Sequence, residues 1–150
     1  MTSPKDPIVA ALQRILDTHH AAVFGYPVIG VNLTDPAQIG TARMLEARHR
    51  ASRDQLMSDL AARSAQPDQA AASYLPPEKV TSPVTAQRWA LQLEEDCAAA
   101  YRYLLSCTAG ANDAAVRTLA VSGLTATAQQ STRWRRLLTP ATPTVPFPGT

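Results

Sequence analysis

The sequence contains few aromatic residues, few glycines and only two cysteines. Aromatics make up 5% of its 150 residues, and 6 residues are glycine. Aromatic and β-branched residues are the ones enriched in strands, whereas alanine, the best helix former, supplies an unusual share of the 45% apolar content. This composition argues against a β-rich fold. A chain of this length fits one domain with a sizeable core, built from long helices packed through small side chains.

Other features that the sequence lacks exclude several classes of protein. No apolar run reaches the roughly 18 residues of a membrane span, and the N-terminal stretch MTSPKDPIVA lacks the pattern of an export signal. The net charge is only +2, and no basic run is interleaved with aromatics, so nothing indicates a nucleic-acid partner. Cys97 and Cys107 are separated by ten residues of one predicted helix, roughly 15 Å, too far for a disulfide. We therefore expect reduced cysteines and a cytoplasmic location.

The 12 prolines are what the sequence has in abundance, and several of them mark helix starts. A side-chain acceptor followed by proline is typical of an N-cap and first helical position, and Asn112, just after Gly110, is a further plausible cap. These signals predict helices at about 7–33, 36–64, 83–108 and 113–138. The pairs that carry the prediction are Asp6-Pro7, Asp35-Pro36 and Ser82-Pro83.

The lengths of the connections predict how these helices are arranged. Short links after the first and third helices require antiparallel neighbours, and hence two helical hairpins. The longer crossover, residues 65–82, joins the hairpins. The predicted fold is all-α, an antiparallel four-helix bundle over 1–138 with a Pro-rich tail, 139–150, that is either extended along the bundle or free in solvent. Pro27, inside the first helix, is expected to kink or break it.

Polar residues interrupt the apolar stripe of each predicted helix near its middle. In an antiparallel bundle, six of these polar side chains would lie at similar heights along the bundle axis and so meet at its centre. They are His19, Glu46, His49, Glu94, Gln130 and Arg133. A buried charge is costly unless it is paired or bound to a metal. These side chains are therefore expected to form one network, with the Arg53 guanidinium one helical turn from His49.

Several stretches resemble a known family. The four helices, the long crossover after the second and the Glu-x-x-His of Glu46 and His49 look like the ferritin-like superfamily. More narrowly, the chain resembles an uncharacterised bacterial ferritin-like family described as a domain of unknown function. The segments that carry this resemblance are HHAAVFGYPVIG, HRASRDQL, SYLPPEKVTSP, LEEDCAAAYRYL, RWRRLL and the terminal PFPG.

The resemblance implies a bundle-centred metal site that this sequence retains only in part. Di-iron relatives place a Glu on two helices and Glu-x-x-His on the other two. Here His19 stands where the first Glu is expected, and Gln130 and Arg133 replace the last Glu-x-x-His. The third helix keeps Glu94, with Glu95 as the alternative. Arginine cannot coordinate a metal, but its fixed charge can pair with Glu46 or Glu94.

Two readings of function stay open. In the first, the chain is a metal-free scaffold or interaction module, with no cofactor, whose former di-metal site is a buried polar network including Arg53, Gln130 and Arg133. In the second, a single Fe, Mn or Zn ion is bound by His19, Glu46, His49 and Glu94, and any enzyme activity is that of a metal-dependent oxidoreductase. A homodimer is expected through small residues such as Ala98-Ala99-Ala100, and His20 is expected to be a surface or interface residue rather than a ligand.

Overall fold

A computed structural model describes residues 6–150, so the first five residues of the stretch examined for an export signal lie outside the described chain. Four α-helices form the fold: α1 is Pro7–Asn32, α2 is Pro36–Ala62, α3 is Pro83–Ser106 and α4 is Ala114–Leu138. This is the all-α four-helix bundle that the sequence predicts. None of the helices in the described chain has both the length and the apolar character that crossing a bilayer requires.

The starts of the first three helices are set by the predicted caps. Asp6 accepts a hydrogen bond from the Ile8 backbone N–H, and the Asp35 side chain accepts two from the first turn of α2. Ser82 and Thr85 form a reciprocal capping box at α3. Each cap satisfies backbone donors that lack a partner inside the helix, and the proline that follows has none to satisfy.

Two helix ends and one internal position differ from expectation. α2 ends two residues early because Ser64 takes a left-handed conformation with φ of 57°, and the Ala65 N–H bonds back to the Leu60 carbonyl in a Schellman-type cap. The predicted Asn112 cap is wrong: a 3₁₀ turn, Ala111–Asp113, precedes α4, whose start has no side-chain cap hydrogen bond. α1 continues as a helix through Pro27, so of the two expected outcomes, a kink or a break, the break is absent.

The closest helix packing follows the order α2, α1, α3, α4, and the backbones of α2 and α4 lie farther apart. Two apolar clusters fill the ends of the bundle, and the polar centre lies between them. One cluster includes Leu12, Ile15, Leu56, Leu60, Leu104 and Val116, and the other includes Ile29, Leu45, Trp89, Leu93 and Trp134.

Both non-helical segments lie on the bundle. The crossover runs along α1, where the Gln13 amide bonds the backbone of Gln66 and Asp68. The tail lies over the groove between α3 and α4, and the Arg135 guanidinium donates to the Pro143 carbonyl at 3.0 Å. Of the two alternatives for the tail, the structure therefore has the packed one. The tail comes closest to α3 at Gly149, whose φ is 79°. A Cβ at this position would lie only 2.7 Å from the Ala98 carbonyl oxygen, so glycine is needed there.

Candidate functional site

Two histidines from neighbouring helices meet at the centre of the bundle. His19 on α1 and His49 on α2 are both buried, and their Nδ1 atoms lie 2.8 Å apart. Each ring uses its other nitrogen on α3: His19 Nε2 lies 2.8 Å from the Tyr101 hydroxyl, and His49 Nε2 lies 2.9 Å from Glu94 Oε1. Both ring orientations are thus fixed from two sides.

Glu94 connects this pair to a second group of buried side chains. Its carboxylate is 1% exposed and accepts a hydrogen bond from the Tyr26 hydroxyl at 2.5 Å in addition to the one from His49. Tyr26 Oη in turn accepts from the Trp134 indole N–H at 3.2 Å. A buried carboxylate is costly without such partners, and Glu94 has two on a single oxygen.

The two histidines carry different charges. Burial lowers the pKa of His19 to about 3, with a further contribution from the nearby charge of His49. Burial also acts to lower the pKa of His49, but the neighbouring Cys97 and Glu94 outweigh it and raise that pKa to about 10. His49 is therefore an imidazolium paired with the Glu94 carboxylate, while His19 is neutral.

The opposite pKa shifts of the two histidines assign a direction to the hydrogen bonds in the centre. A cationic His49 has both N–H groups, so it donates to Glu94 and to the lone pair of His19 Nδ1. His19 must then be the tautomer with a proton on Nε2, which donates to Tyr101. Trp134 donates to Tyr26, which donates to Glu94. Every one of these nitrogen and oxygen atoms has a partner.

Cys97 completes the cluster. Its thiol is buried, and the donor atoms of His19, His49 and Cys97 all lie within 4.8 Å of one another. Both cysteines of the chain are free, and Cys107 lies away from this cluster at the end of α3. Two imidazoles and one thiol form a set of donors that suits zinc or copper by ligand type.

A crevice between α2 and α4 leads from the surface to this centre. We name it the α2–α4 crevice; its volume is about 50 Å³. Gln130 projects from α4 into it, 7% exposed, and within residues 6–150 its Oε1 is buried without a hydrogen-bond partner. The residues that line the crevice are His19, Leu45, Arg48, His49, Ser52, Glu94, Tyr101, Gly123, Ala126, Thr127 and Gln130.

Three predicted site residues lie outside the buried centre. Glu46 is displaced to the side of α2 by its neighbour Leu45, which is buried, and it pairs with Arg50 across one helical turn. Arg53 pairs with the adjacent Asp54 at the surface. The predicted inward positions of these two side chains are therefore wrong, whereas His19, His49, Glu94 and Gln130 do reach the centre.

The inward position predicted for Arg133 is also wrong: its side chain is exposed. Residues 133 and 134 point about 100° apart on a helix, so only one of them can face the core, and Trp134 does, at 1% exposure. Burying a large indole with its N–H bonded is favourable, while burying an unpaired guanidinium is costly. The expected facing of α4 was thus off by one residue.

Two further expectations concern residues near the site. His20 is buried against the crossover, with its Nε2 3.2 Å from the Asp68 carbonyl, and it lies outside the cluster of candidate ligands. The stretch Ala98–Ala100 does not form a free face, because Ala98 and Ala100 are buried and the tail lies against Ala98. The small-residue surface expected to pair two copies is therefore covered within the chain itself.

The sequence analysis does not assign Cys97, Tyr26, Tyr101 or Trp134 to the site. A signal for Cys97 was available, because it follows Glu94 by three positions and so shares its helix face. Tyr26 and Tyr101 fall on the inward stripes of their helices, and a buried tyrosine hydroxyl usually has a partner. Their partners were the two polar groups already expected in the centre, Glu94 and His19.

The residues of the centre do not fit a di-metal carboxylate site. Such a site needs carboxylates on several helices to balance two cations, and Glu94 is the one carboxylate among the residues lining the crevice. Its Oε1 is already held by His49 and Tyr26. The centre is a polar layer across a four-helix bundle.

Comparison with known proteins agrees with this class of fold. The chain is similar to a structure described as ferritin-like, diiron-carboxylate proteins from Bacillus anthracis str. Ames, with 12% identity, a TM-score of 0.77, and coverage of 91% of this chain and 99% of that one. The chain thus shares the ferritin-like four-helix fold of that structure. A family model described as Domain of unknown function (DUF4439) matches residues 11–150, and the chain belongs to that family.

A second solved structure is more similar in sequence. It is a conserved hypothetical protein, rv2844, from Mycobacterium tuberculosis, 32% identical, with a TM-score of 0.80 and coverage of 90% of this chain and 99% of that one. No curated protein matches the sequence. The predicted membership of a family described as a domain of unknown function is confirmed.

Proposed function

We propose that the chain is a metal-free ferritin-like bundle that serves as a scaffold or interaction module. The observation that carries this proposal is the closed hydrogen-bond network of His19, His49 and Glu94, in which each donor has an acceptor without an ion. The His49–Glu94 pair balances its own charge. A reducing cytosol suits the two free cysteines, and a homodimer stays a prediction for which we name no surface.

Elemental analysis tests this proposal directly. Protein purified without a metal-affinity tag would be measured as isolated, and again after anaerobic incubation with Fe(II), Mn(II) or Zn(II) followed by desalting. We expect metal far below one ion per chain in every sample. Metal at one ion per chain that is lost in His49→Gln would contradict the proposal.

A single metal ion is the second candidate function. The observation that favours it is the meeting of His19, His49 and Cys97, whose donor atoms lie within 4.8 Å of one another. The outer ring nitrogens of both histidines are held by Glu94 and Tyr101, as metal-binding histidines are commonly held by a partner on the far side of the ring. Such an ion would supply Lewis-acid or redox chemistry.

Cobalt(II) distinguishes the two candidates, because thiolate ligation produces an intense charge-transfer absorption. The single-ion candidate predicts this band in the wild type and in Cys107→Ser, and its loss in Cys97→Ser. The two serine variants are a matched pair, since Cys107 lies outside the cluster. The metal-free proposal predicts no band in any of the three proteins.

A further inference from the structure

A groove lies between the C-terminal tail and the two helices beneath it. We name it the tail groove; its volume is about 630 Å³, and pockets for small molecules usually measure roughly 300–1,000 Å³. The tail groove shares no lining residue with the α2–α4 crevice. A molecule bound in it would therefore lie apart from the polar centre of the bundle.

The tail is held over this groove at two points. The Arg135 guanidinium donates to the Pro143 carbonyl, and Gly149 approaches the backbone of α3. The span between these points lines the groove without filling it, because Val145 and Phe147 are lining residues and yet remain 44% and 69% exposed. Apolar side chains that are exposed in this way gain free energy when another apolar group covers them.

The helices provide an apolar floor opposite these two side chains. Ala98 and Ala99 of α3 line the groove, as do Leu124 and Ala128 of α4. Apolar groups therefore face the same space from the tail and from the bundle. A mainly apolar molecule placed between them would remove both surfaces from water, which is favourable.

The charges around the groove favour an uncharged molecule. The Arg135 guanidinium is already paired with Glu95 at 2.6 Å. Asp96 is the other charged side chain that lines the groove within the described chain, and it is exposed to solvent and accepts from the Gln92 amide. An anion would therefore meet a carboxylate and no unpaired cation, and an ion of either sign would lose hydration against the apolar floor.

One polar group of the groove lacks a partner. Ser131 on α4 is a lining residue, is 4% exposed, and within residues 6–150 its Oγ is buried without a hydrogen-bond partner. A buried polar group without a partner is costly, and a serine hydroxyl can both donate and accept. A molecule with a single hydroxyl or N–H group would supply the missing partner.

We propose that the tail groove binds an uncharged, mainly apolar small molecule that carries one hydroxyl or N–H group. Its apolar part lies between the floor of the groove and the side chains of Val145 and Phe147, and its polar group bonds the Ser131 hydroxyl. The tail is then the outer wall of a binding site. This goes beyond the scaffold function proposed above and does not depend on whether the polar centre holds a metal ion.

Ligand-detected NMR titration with four probes built on the same ring system tests the proposal. Naphthol is uncharged at neutral pH and has a hydroxyl, naphthalene lacks it, and naphthoate and naphthylmethylammonium are an anion and a cation. We expect saturable binding of naphthol. Naphthalene should bind about fivefold more weakly because it lacks one hydrogen bond, and both ions should bind more weakly than naphthol because they lose hydration.

Two matched pairs of variants locate the site. Ser131→Ala should weaken naphthol about fivefold and leave naphthalene unchanged, whereas Ser122→Ala, at an exposed serine of the same helix outside the groove, should change neither. Phe147→Ser removes part of the outer wall and should weaken both about fivefold. Leu75→Ser, at an exposed leucine outside the groove, should weaken neither. Because Phe147 and Leu75 are exposed, both of these variants should keep the wild-type circular dichroism spectrum.

Hydrogen exchange provides a second measurement, because a molecule held beneath the tail should slow exchange in residues 143–150. Saturable naphthol binding that leaves this exchange unchanged would place the ligand elsewhere and overturn the proposal. The same conclusion follows if wild type does not bind naphthol saturably, if Phe147→Ser and Leu75→Ser weaken binding equally, or if Ser131→Ala weakens naphthol and naphthalene equally. Tighter binding of either ion than of naphthol would overturn the uncharged ligand class.

Discussion

At the scale of single residues, the centre shows how neighbours divide charge between two equivalent side chains. His19 and His49 are both buried and only 2.8 Å apart, so two cations there would repel strongly. His49 has Glu94 on its far side, whereas His19 has the neutral Tyr101 hydroxyl. The proton therefore resides on His49, and the position of one carboxylate decides which ring is charged.

The free energy of unfolding should depend on pH in opposite ways for the two histidines. The His49 pKa of about 10 is above its ordinary value of 6.5, so its stabilisation is full below pH 6.5 and is lost as the pH rises toward 10. The His19 pKa of about 3 is below 6.5, so its contribution is full above pH 6.5 and is lost as the pH falls toward 3.

Urea unfolding of wild type, His19→Gln and His49→Gln between about pH 4 and pH 9 measures this dependence. We expect His49→Gln to reduce the dependence of the free energy of unfolding on pH above 6.5, and His19→Gln to reduce it below 6.5. Each variant serves as the control for the other. Differences from wild type that stay constant across the whole range would show that neither ring changes its pKa on folding.

The Tyr26 hydroxyl should matter more than its single atom suggests. Tyr26→Phe removes a donor to Glu94 and leaves the Trp134 N–H buried without an acceptor. An unsatisfied buried group costs about 1–3 kcal/mol, so we expect a loss of that order in the free energy of unfolding, measured by urea titration. Tyr103→Phe, at an exposed ring, should change it by less than about 0.5 kcal/mol. If Tyr26→Phe lowered the free energy of unfolding by no more than Tyr103→Phe does, a water molecule would be replacing the lost hydroxyl.

Much of the centre, but not its outer members, follows from the sequence. Spacing of three and four residues indicates which side chains share a helix face, and on that basis His19, His49 and Glu94 were expected inward. The spacing does not show which of two adjacent residues, such as Arg133 and Trp134, faces the core. That choice depends on the free energy that each side chain gains or loses on burial among its particular neighbours. Cys97 was missed since a lone cysteine reads as a small apolar residue.

At the scale of helices, glycine sets the distance between α3 and α4. A Cβ added at Gly123 would overlap the Tyr101 ring. The absence of a side chain there is what lets Tyr101 lie between the two helices and reach His19. The polar centre therefore depends on one residue of α4 that contributes no side chain to it.

Gly123→Ala should destabilise the protein although alanine is the better helix former. Overpacking of this kind costs about 1–3 kcal/mol, and displacing Tyr101 also weakens its bond to His19. Gly40→Ala on α2 is the matched control: its Cβ would meet nothing within 4 Å, so propensity alone should stabilise by about 0.5–1 kcal/mol. Urea titration of both variants measures these changes in the free energy of unfolding. An increase in Gly123→Ala would show that the Tyr101 ring moves aside without cost.

The C-terminal tail depends on an arginine that the sequence did not single out. Arg135, 9% exposed, donates to Glu95 at 2.6 Å and to the Pro143 carbonyl at 3.0 Å. Arg135→Ala should therefore release the tail, seen as faster hydrogen exchange in residues 143–150, while the exposed Arg136→Ala should leave exchange unchanged. Equal exchange in the two variants would mean that other tail contacts suffice.

At the scale of the whole molecule, the fold is the part that the sequence predicts best. Proline after a capping side chain marks three of the four helix starts, and the lengths of the connections then leave few arrangements. The sequence leaves the position of the tail open because its twelve residues show no periodic pattern. Its place over α3 and α4 depends on Arg135 and on Gly149 approaching Ala98, contacts between residues far apart in sequence.

The tail also bears on self-association. It covers a groove of about 630 Å³ lined in part by Ala98, Ala99, Leu124 and Ala128. Small side chains allow helices to approach closely, so this surface would suit a second copy if it were open.

We therefore predict that deletion of residues 143–150 produces a concentration-dependent dimer in sedimentation velocity, whereas the full chain forms none through this face. Adding Ala99→Arg to the truncated chain should restore the monomer, because a charge in a closely packed apolar interface is costly. A truncated chain whose sedimentation does not change with concentration would show that covering this groove has no part in controlling association.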